Sequence, residues 1–233
     1  PNLVVLFGGS DSDLFLKEVA AQFSARTPGV LLSSRVCHTL QASVERLQEA
    51  GAELIVGGRP LDGSGFRFEN TLLRVTGDQF LQSPDVFQTE AFGNATLVVI
   101  VENVDQACQL VEQLEGSLTG AIYSSQSGQD DEHYRAIAPR LRRRVGRLLN
   151  DRMPTGVTVS SAMNHGGPFP STGHPGFTAV GIPASLRRFA MLQCFDQVRS
   201  ERLPQILQDR SPEAGAWRYV DGRWTQGTVD RTE

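Results

Sequence analysis

Thr96-Leu97-Val98-Val99-Ile100-Val101, then Glu102-Asn103-Val104-Asp105-Gln106-Ala107-Cys108-Gln109-Leu110-Val111, is the stretch whose reading decides the fold. Its first six residues are apolar or β-branched without a break, the pattern of a strand covered on both faces. Asn103 then supplies a helix cap, with Gln106 three residues on at the capping-box position. Val104, Ala107, Cys108, Val111 and Leu114 share one helical face, and Gly116 is the expected stop. Residues 119–124 make the next strand. Strand, helix, strand in this order predicts a right-handed parallel crossover, and with it an α/β fold.

The same alternation extends outward. Toward the start, Leu3-Val4-Val5-Leu6-Phe7 is an apolar strand, and Gly8-Gly9-Ser10-Asp11 turns it into a helix over residues 12–26. Leu16, Val19, Ala20 and Phe23 form that helix's apolar face. A second helix is expected over 34–50, with Val36, Leu40, Val44 and Leu47 on one side. Residues 52–56 read as a strand, 57–65 as a loop and 66–75 as one half-exposed strand. Toward the end, 131–149 reads as a single helix carrying Arg140, Arg142, Arg143 and Arg144, a solvated or subunit-contact face in preference to a phosphate site. A short strand is expected over 157–160, a helix over 184–189 and an extended segment over 191–195. Asp221-Gly222, between aromatic and apolar residues, signals a hairpin over 217–224. The fold class is therefore α/β, a mostly parallel sheet flanked by helices, with a C-terminal extended segment and hairpin.

Composition is that of a globular chain of 233 residues, 39% hydrophobic and 21% charged, with a formal charge of -4. That balance gives no reason to expect nucleic acid or an anionic membrane as partner. No apolar run reaches the ~18 residues of a membrane helix. Cys37, Cys108 and Cys194 are widely spaced and odd in number, which suits neither a metal site nor a disulfide framework and points to a reducing cytoplasm. A strand beginning at Pro1-Asn2, with no initiator Met, suggests a piece of a longer chain.

Several places carry candidate chemistry. The loop Asn164-His165-Gly166-Gly167-Pro168-Phe169-Pro170-Ser171-Thr172-Gly173-His174-Pro175 holds two of the four histidines amid Gly and Pro. It reads as a rigid irregular loop presenting polar groups and a ring. No further ligand spacing accompanies His165 and His174, so a metal is not expected; hydrogen-bonded loop histidines and contact with a polar substrate both remain open. The Gly8-Gly9 turn lacks a dinucleotide fingerprint and a P-loop Lys, and Asp11 and Asp13 would repel an anion. Cys108 and Cys194 read as core residues, and Cys37 beside His38 points away from it by ~100°. On general grounds Glu90 is a surface carboxylate and Phe92 a core residue, placed before a strand and away from the usual ligand edge.

Glu90-Ala91-Phe92-Gly93 before an apolar strand resembles the Glu-x-Phe-Gly-Pro motif of aldehyde dehydrogenases, with Asn94 in place of the Pro. Leu118-Thr119-Gly120-Ala121-Ile122-Tyr123 is similar to that family's Leu-Thr-Gly-Ser-Ile-Phe strand. Pro154-Thr155-Gly156-Val157, the loop from Asn164 to Thr172, Thr178-Ala179-Val180-Gly181 and Leu186-Arg187-Arg188-Phe189 resemble the branch acting on α-ketoglutaric semialdehyde (2,5-dioxovalerate). The order is consistent along essentially the whole chain.

The resemblance implies residues 1–183 as catalytic domain and 184–233 as a strand and hairpin serving oligomerisation. It implies NAD or NADP as cofactor, a small aldehyde as substrate and a homo-oligomer. It implies that a Cys thiolate attacks the aldehyde, hydride passes to the nicotinamide, and Glu-activated water hydrolyses the thioester. The family's nucleophile, general base and coenzyme-binding half would precede Pro1, and none of the three cysteines matches the nucleophile. No catalytic residue is therefore assigned here. Glu90 would bind the nicotinamide ribose and Phe92 would pack beside the nicotinamide. Asn164, His165 and Phe169 would stand at the mouth of the substrate tunnel. The chain alone would be inactive. A natural non-catalytic α/β binding module is the alternative, separable by whether an upstream Gly-Gln-x-Cys segment lies in frame.

Overall fold

The computed structural model describes residues 1–154, 163–174, 186, 189–210 and 215–228. Two compact units make up the chain, Pro1–Arg188 and Phe189–Glu233. The first is α/β. Its main sheet has the strand order β1 (Leu3–Phe7), β7 (Ala95–Val101), β6 (Thr71–Thr76), β3 (Glu53–Val56). The first three run parallel and β3 runs antiparallel to β6.

Apolar residues alternate between the two faces of this sheet, so each face carries its own core. Leu97, Val99 and Val101 of β7 and Leu73 and Val75 of β6 pack with Leu40, Val44 and Leu47 of α2 (Ser34–Glu49). Phe80 of α3 (Gly77–Gln82), Phe87 of α4 (Pro84–Phe87) and Ala107 and Leu110 of α5 (Val104–Gln113) close that side. On the other face Val98 and Leu72 meet Leu16, Val19, Ala20 and Phe23 of α1 (Ser10–Ala25). Each fully buried Leu, Val or Phe contributes about 1.5–3 kcal/mol. The Asn103 cap is realised, its Oδ1 accepting the Gln106 N–H at 2.9 Å. Among the described residues β1 is an edge strand, half-buried along most of its length.

Four expectations are corrected. First, β8 (Ser117–Ile122) does not join the sheet of β7; it pairs in parallel with β9 (Val145–Asn150). The expected crossover instead runs β8, α6 (Asp131–Leu141), β9. Second, α6 ends at Leu141 and residues 145–150 form that strand, so the expected helix 131–149 is two elements. Arg140 pairs with Glu112 at 2.7 Å, Arg144 donates to the Glu112 carbonyl and Arg142 to that of Val145, which makes these three a brace at the helix end, while Arg143 is exposed on the solvated face. Third, the expected strand 66–75 is split at Asn70. β5 (Phe66–Phe68) lies between β2 (Val30–Leu31) and β4 (Pro60–Leu61) in a small antiparallel sheet, the latter inside the expected loop 57–65. Asn70 interrupts because its carboxamide donates to the carbonyls of Phe23 and Arg26 at the end of α1, 3.1 and 2.9 Å away.

The fourth concerns Cys194 in the second unit. Residues 191–195 pair with no described strand and are exposed, Leu192 at 98%, and Cys194 is exposed with them, not in a core. The hairpin is as expected: β10 (Arg218–Val220) and β11 (Arg223–Thr225) flank Asp221 and Gly222, with φ of 47° and 79°. Two positive φ values in a two-residue loop match the twist of the flanking strands. Tyr219 and Trp224 face each other with ring centroids 5.2 Å apart. The elements expected over 157–160 and, for the most part, 184–189 lie outside the described residues, as do Thr155, Gly156, Val157 and 178–181.

Candidate active site

The segment 88–94 is anchored at its start by Gln88. Its Nε2 donates to the Gln113 carbonyl at 3.1 Å and its Oε1 accepts the Glu115 N–H at 2.6 Å, at the end of α5. Ala91 then turns into the core, only 4% exposed. With residue 91 facing inward, Glu90 and Phe92 are both left facing solvent, Phe92 61% exposed. The expectation that Phe92 is a core residue is therefore corrected. The small Ala, not the large Phe, is the residue that fits beneath this turn. Gly93 lies flat on α2, where a Cβ would come within 2.7 Å of Leu40 Cδ2.

Glu90 and Phe92 border one open cavity of about 500 Å³, which also meets Asn2, Phe23, Asn70, Asn94 and Thr96. That volume suits part of a cofactor or a small ligand. The cavity sits at the amino ends of β1 and β7, opposite the carboxyl edge where α/β sheets usually bind ligands. A carboxylate able to accept two hydroxyl hydrogens thus stands near an exposed apolar ring. This chemistry fits a ribose with a flat heterocycle beside it.

Residues 163–174 form a loop apart from this cavity. The loop lies so tightly over the starts of β8 and β9 that a Cβ on Gly116, Gly146 or Gly167 would overlap backbone carbonyls of Pro168, Gly166 or Ser117. Asn164 is engaged within the loop, its Oδ1 accepting the Gly166 N–H at 3.2 Å and its Nδ2 donating to the Gly166 carbonyl at 3.1 Å. Thr172 Oγ1 accepts the Gly167 N–H at 3.1 Å, and Ser171 Oγ donates to the Pro168 carbonyl at 2.6 Å. His165 is exposed and Phe169 is 81% exposed. Asn164, His165 and Phe169 do not line the cavity of Glu90 and Phe92.

Cys37 is buried, its thiol donating to the Arg67 carbonyl at 3.7 Å. Cys108 is buried too; desolvation pushes its thiol pKa up, Arg140 opposes this, and Asp105 and Glu112 add to it. Among the described residues no group of His, Cys, Asp and Glu could hold a metal ion, and no helix is long and apolar enough to cross a membrane. The residues that sequence reasoning missed are Asn2, Asn70 and Asn94, which hold the cavity wall. Asparagine is common in turns, and nothing local announces a partner 89 residues away.

The Aldehyde dehydrogenase family profile matches residues 19–172. Alpha-ketoglutaric semialdehyde dehydrogenase 2 of Azospirillum brasilense is 36% identical over 216 residues, 92% of this chain and 40% of that protein. Alpha-ketoglutaric semialdehyde dehydrogenase of Acinetobacter baylyi is 29% identical over 227 residues, 97% of this chain and 42% of that protein. The chain thus spans well under half the length of these curated relatives. The solved gamma-glutamyl-gamma-aminobutyraldehyde dehydrogenase of Burkholderia cenocepacia superposes with a TM-score of 0.58 at 19% identity, covering 73% of this chain and 34% of that one. At that identity the likeness concerns the fold. Taken together, profile, relatives and architecture agree: the chain belongs to the aldehyde dehydrogenase family.

Proposed function

We propose that this chain is part of an NAD(P)-dependent aldehyde dehydrogenase that oxidises a small polar semialdehyde, α-ketoglutaric semialdehyde, to the acid. The observation that carries the reading is the cavity in which Glu90 and Phe92 stand together at the turn before β7. The substrate class follows the two relatives of that name. Glu90 holds the hydroxyls of the nicotinamide ribose and Phe92 packs beside the ring. The nicotinamide, when bound, is the hydride acceptor. Asn164, His165 and Phe169 form one wall of the aldehyde's entry, their loop fixed on β8 and β9 so that His165 and Phe169 face outward.

The nucleophile is none of the cysteines of this chain. Cys37 and Cys108 are buried, and Cys108 resists ionisation; a nucleophilic Cys needs an accessible, stabilised thiolate. Cys194 is exposed, but its Leu192-Gln193-Cys194-Phe195 surroundings lack the Gly-Gln-x-Cys-Thr pattern of the family's nucleophile. The whole protein works as a homo-oligomer in the cytoplasm. The test is NAD(P)H absorbance with 2,5-dioxovalerate, measured on the whole protein and on the 233-residue chain. Reduction by the whole protein and none above background by the chain are expected. Turnover by the chain alone, or a whole protein inert toward this aldehyde, would overturn the proposal.

A further inference from the structure

We propose that Asn2 and Asn94 are positioning residues that hold the 90–92 turn in the orientation that lets Glu90 grip the nicotinamide ribose. The inference rests on the cofactor placement proposed above. Among the described residues, Glu90 and Phe92 have no hydrogen bond, ion pair or ring contact of their side chains, so backbone placement sets where they point. That backbone is gripped on one side by a carboxamide distant in sequence, that of Asn2, and on the other by the neighbouring Asn94, whose own partners are distant.

Asn2 straddles Glu90. Its Oδ1 accepts the Ala91 N–H at 3.2 Å, and its Nδ2 reaches the Thr89 carbonyl at 3.5 Å. Asn94 fixes the exit of the turn. Its Nδ2 donates to the Phe68 carbonyl at 2.7 Å and to Asn70 Oδ1 at 3.0 Å, while its backbone carbonyl accepts the Thr71 N–H at 2.9 Å. Asn70 in turn holds the end of α1. The exit is thereby tied to β5, β6 and α1 together. Asn94 Oδ1 is buried and accepts no hydrogen bond among the described residues, an unfavourable state that the rest of the arrangement must offset. Asn2, Asn70 and Asn94 line the cavity with Glu90, yet their carboxamides are directed at the protein's own backbone and at one another. They act on a ligand through Glu90.

The test uses the whole enzyme with Asn2→Ala, Asn2→Asp, Asn94→Ala and Glu90→Gln. Dissociation constants for NAD, NADP and ADP are measured by calorimetry, with thermal midpoints alongside. ADP lacks the nicotinamide ribose and serves as the internal control. For the preferred dinucleotide, Asn2→Ala, Asn94→Ala and Glu90→Gln should each weaken binding about ten- to a hundredfold, the loss expected for one misplaced charged hydrogen bond. ADP affinity should change less than twofold. Asn2→Asp keeps an oxygen for the Ala91 N–H and should restore affinity to within about threefold of the parent. If Glu90→Gln weakens binding while both alanine variants leave it unchanged, the positioning role is overturned and the cofactor placement stands. If Glu90→Gln changes nothing, the placement falls and the positioning role with it. Equal losses for ADP and dinucleotide would mean a merely structural role. Should Asn94→Ala fail to fold, the Asn2 pair decides.

Discussion

Leu40, with no exposed surface, bears the flat underside of Gly93 and so lies between the hydrophobic core and the cavity. Replacing Gly93 by Ala would push a methyl into Leu40 Cδ2, and with Leu40 enclosed the core has little room to yield. Destabilisation of about 1–3 kcal/mol is expected, seen as a lower urea midpoint at unchanged slope. The cysteines give a second expectation at this scale. Iodoacetamide should modify the exposed Cys194 well before Cys37 or Cys108. The Cys108 thiol, raised by desolvation, forms thiolate only at higher pH than an ordinary cysteine, so its lag should persist as pH rises. Mass spectrometry of timed digests would show the order, and early loss of Cys108 would contradict it. Burial of Cys37 and Cys108 agrees with helical spacing alone for Cys108, whose face is apolar. Phe92 and Cys194 were not legible, because their exposure depends on which way the backbone turns and on what covers it. Neither is written in the neighbouring residues.

At the level of elements, α1, α2, α5 and β7 were legible from apolar periodicity, since each buries one face or both against the same sheet. The boundary between α6 and β9 was not. Arg142-Arg143-Arg144 and Leu148-Leu149 suit a helix by propensity, and the counter-signals are single residues, Pro139 within α6 and Gly146 within β9. Pro in a helix interior and Gly in either element are both unfavourable locally. Gly146 is explained only by the approach of Gly166 from a distant loop. Its replacement by Ala should displace residues 163–174. In the whole enzyme the expected outcome is a several-fold rise in the aldehyde KM with little change in dinucleotide affinity. An unchanged KM would remove the loop from the substrate's path. The split at Asn70 was hidden for a similar reason, because its partners belong to α1 and not to the flanking strands.

For the whole molecule, Phe189, Met191 and Leu192 are 83%, 78% and 98% exposed, and the 191–195 segment lacks a strand partner among the described residues. Exposed apolar backbone of this kind invites pairing between copies. Sedimentation velocity over a hundredfold range of concentration should show self-association; a strict monomer throughout would count against it. The two-faced main sheet has a further consequence, for hydrogen exchange. Residues 72, 73, 75, 97, 98, 99 and 101 are almost wholly enclosed, so amides of β6 and β7 should exchange only through global opening. Glu90 to Gly93 lie just outside that slow block and can open without breaking it, whereas Asn94 is tied to it through the Thr71 N–H. A bound ligand should therefore leave the protection of the strands untouched and slow exchange chiefly in the few residues just before β7, a narrow footprint that locates the site without any turnover assay.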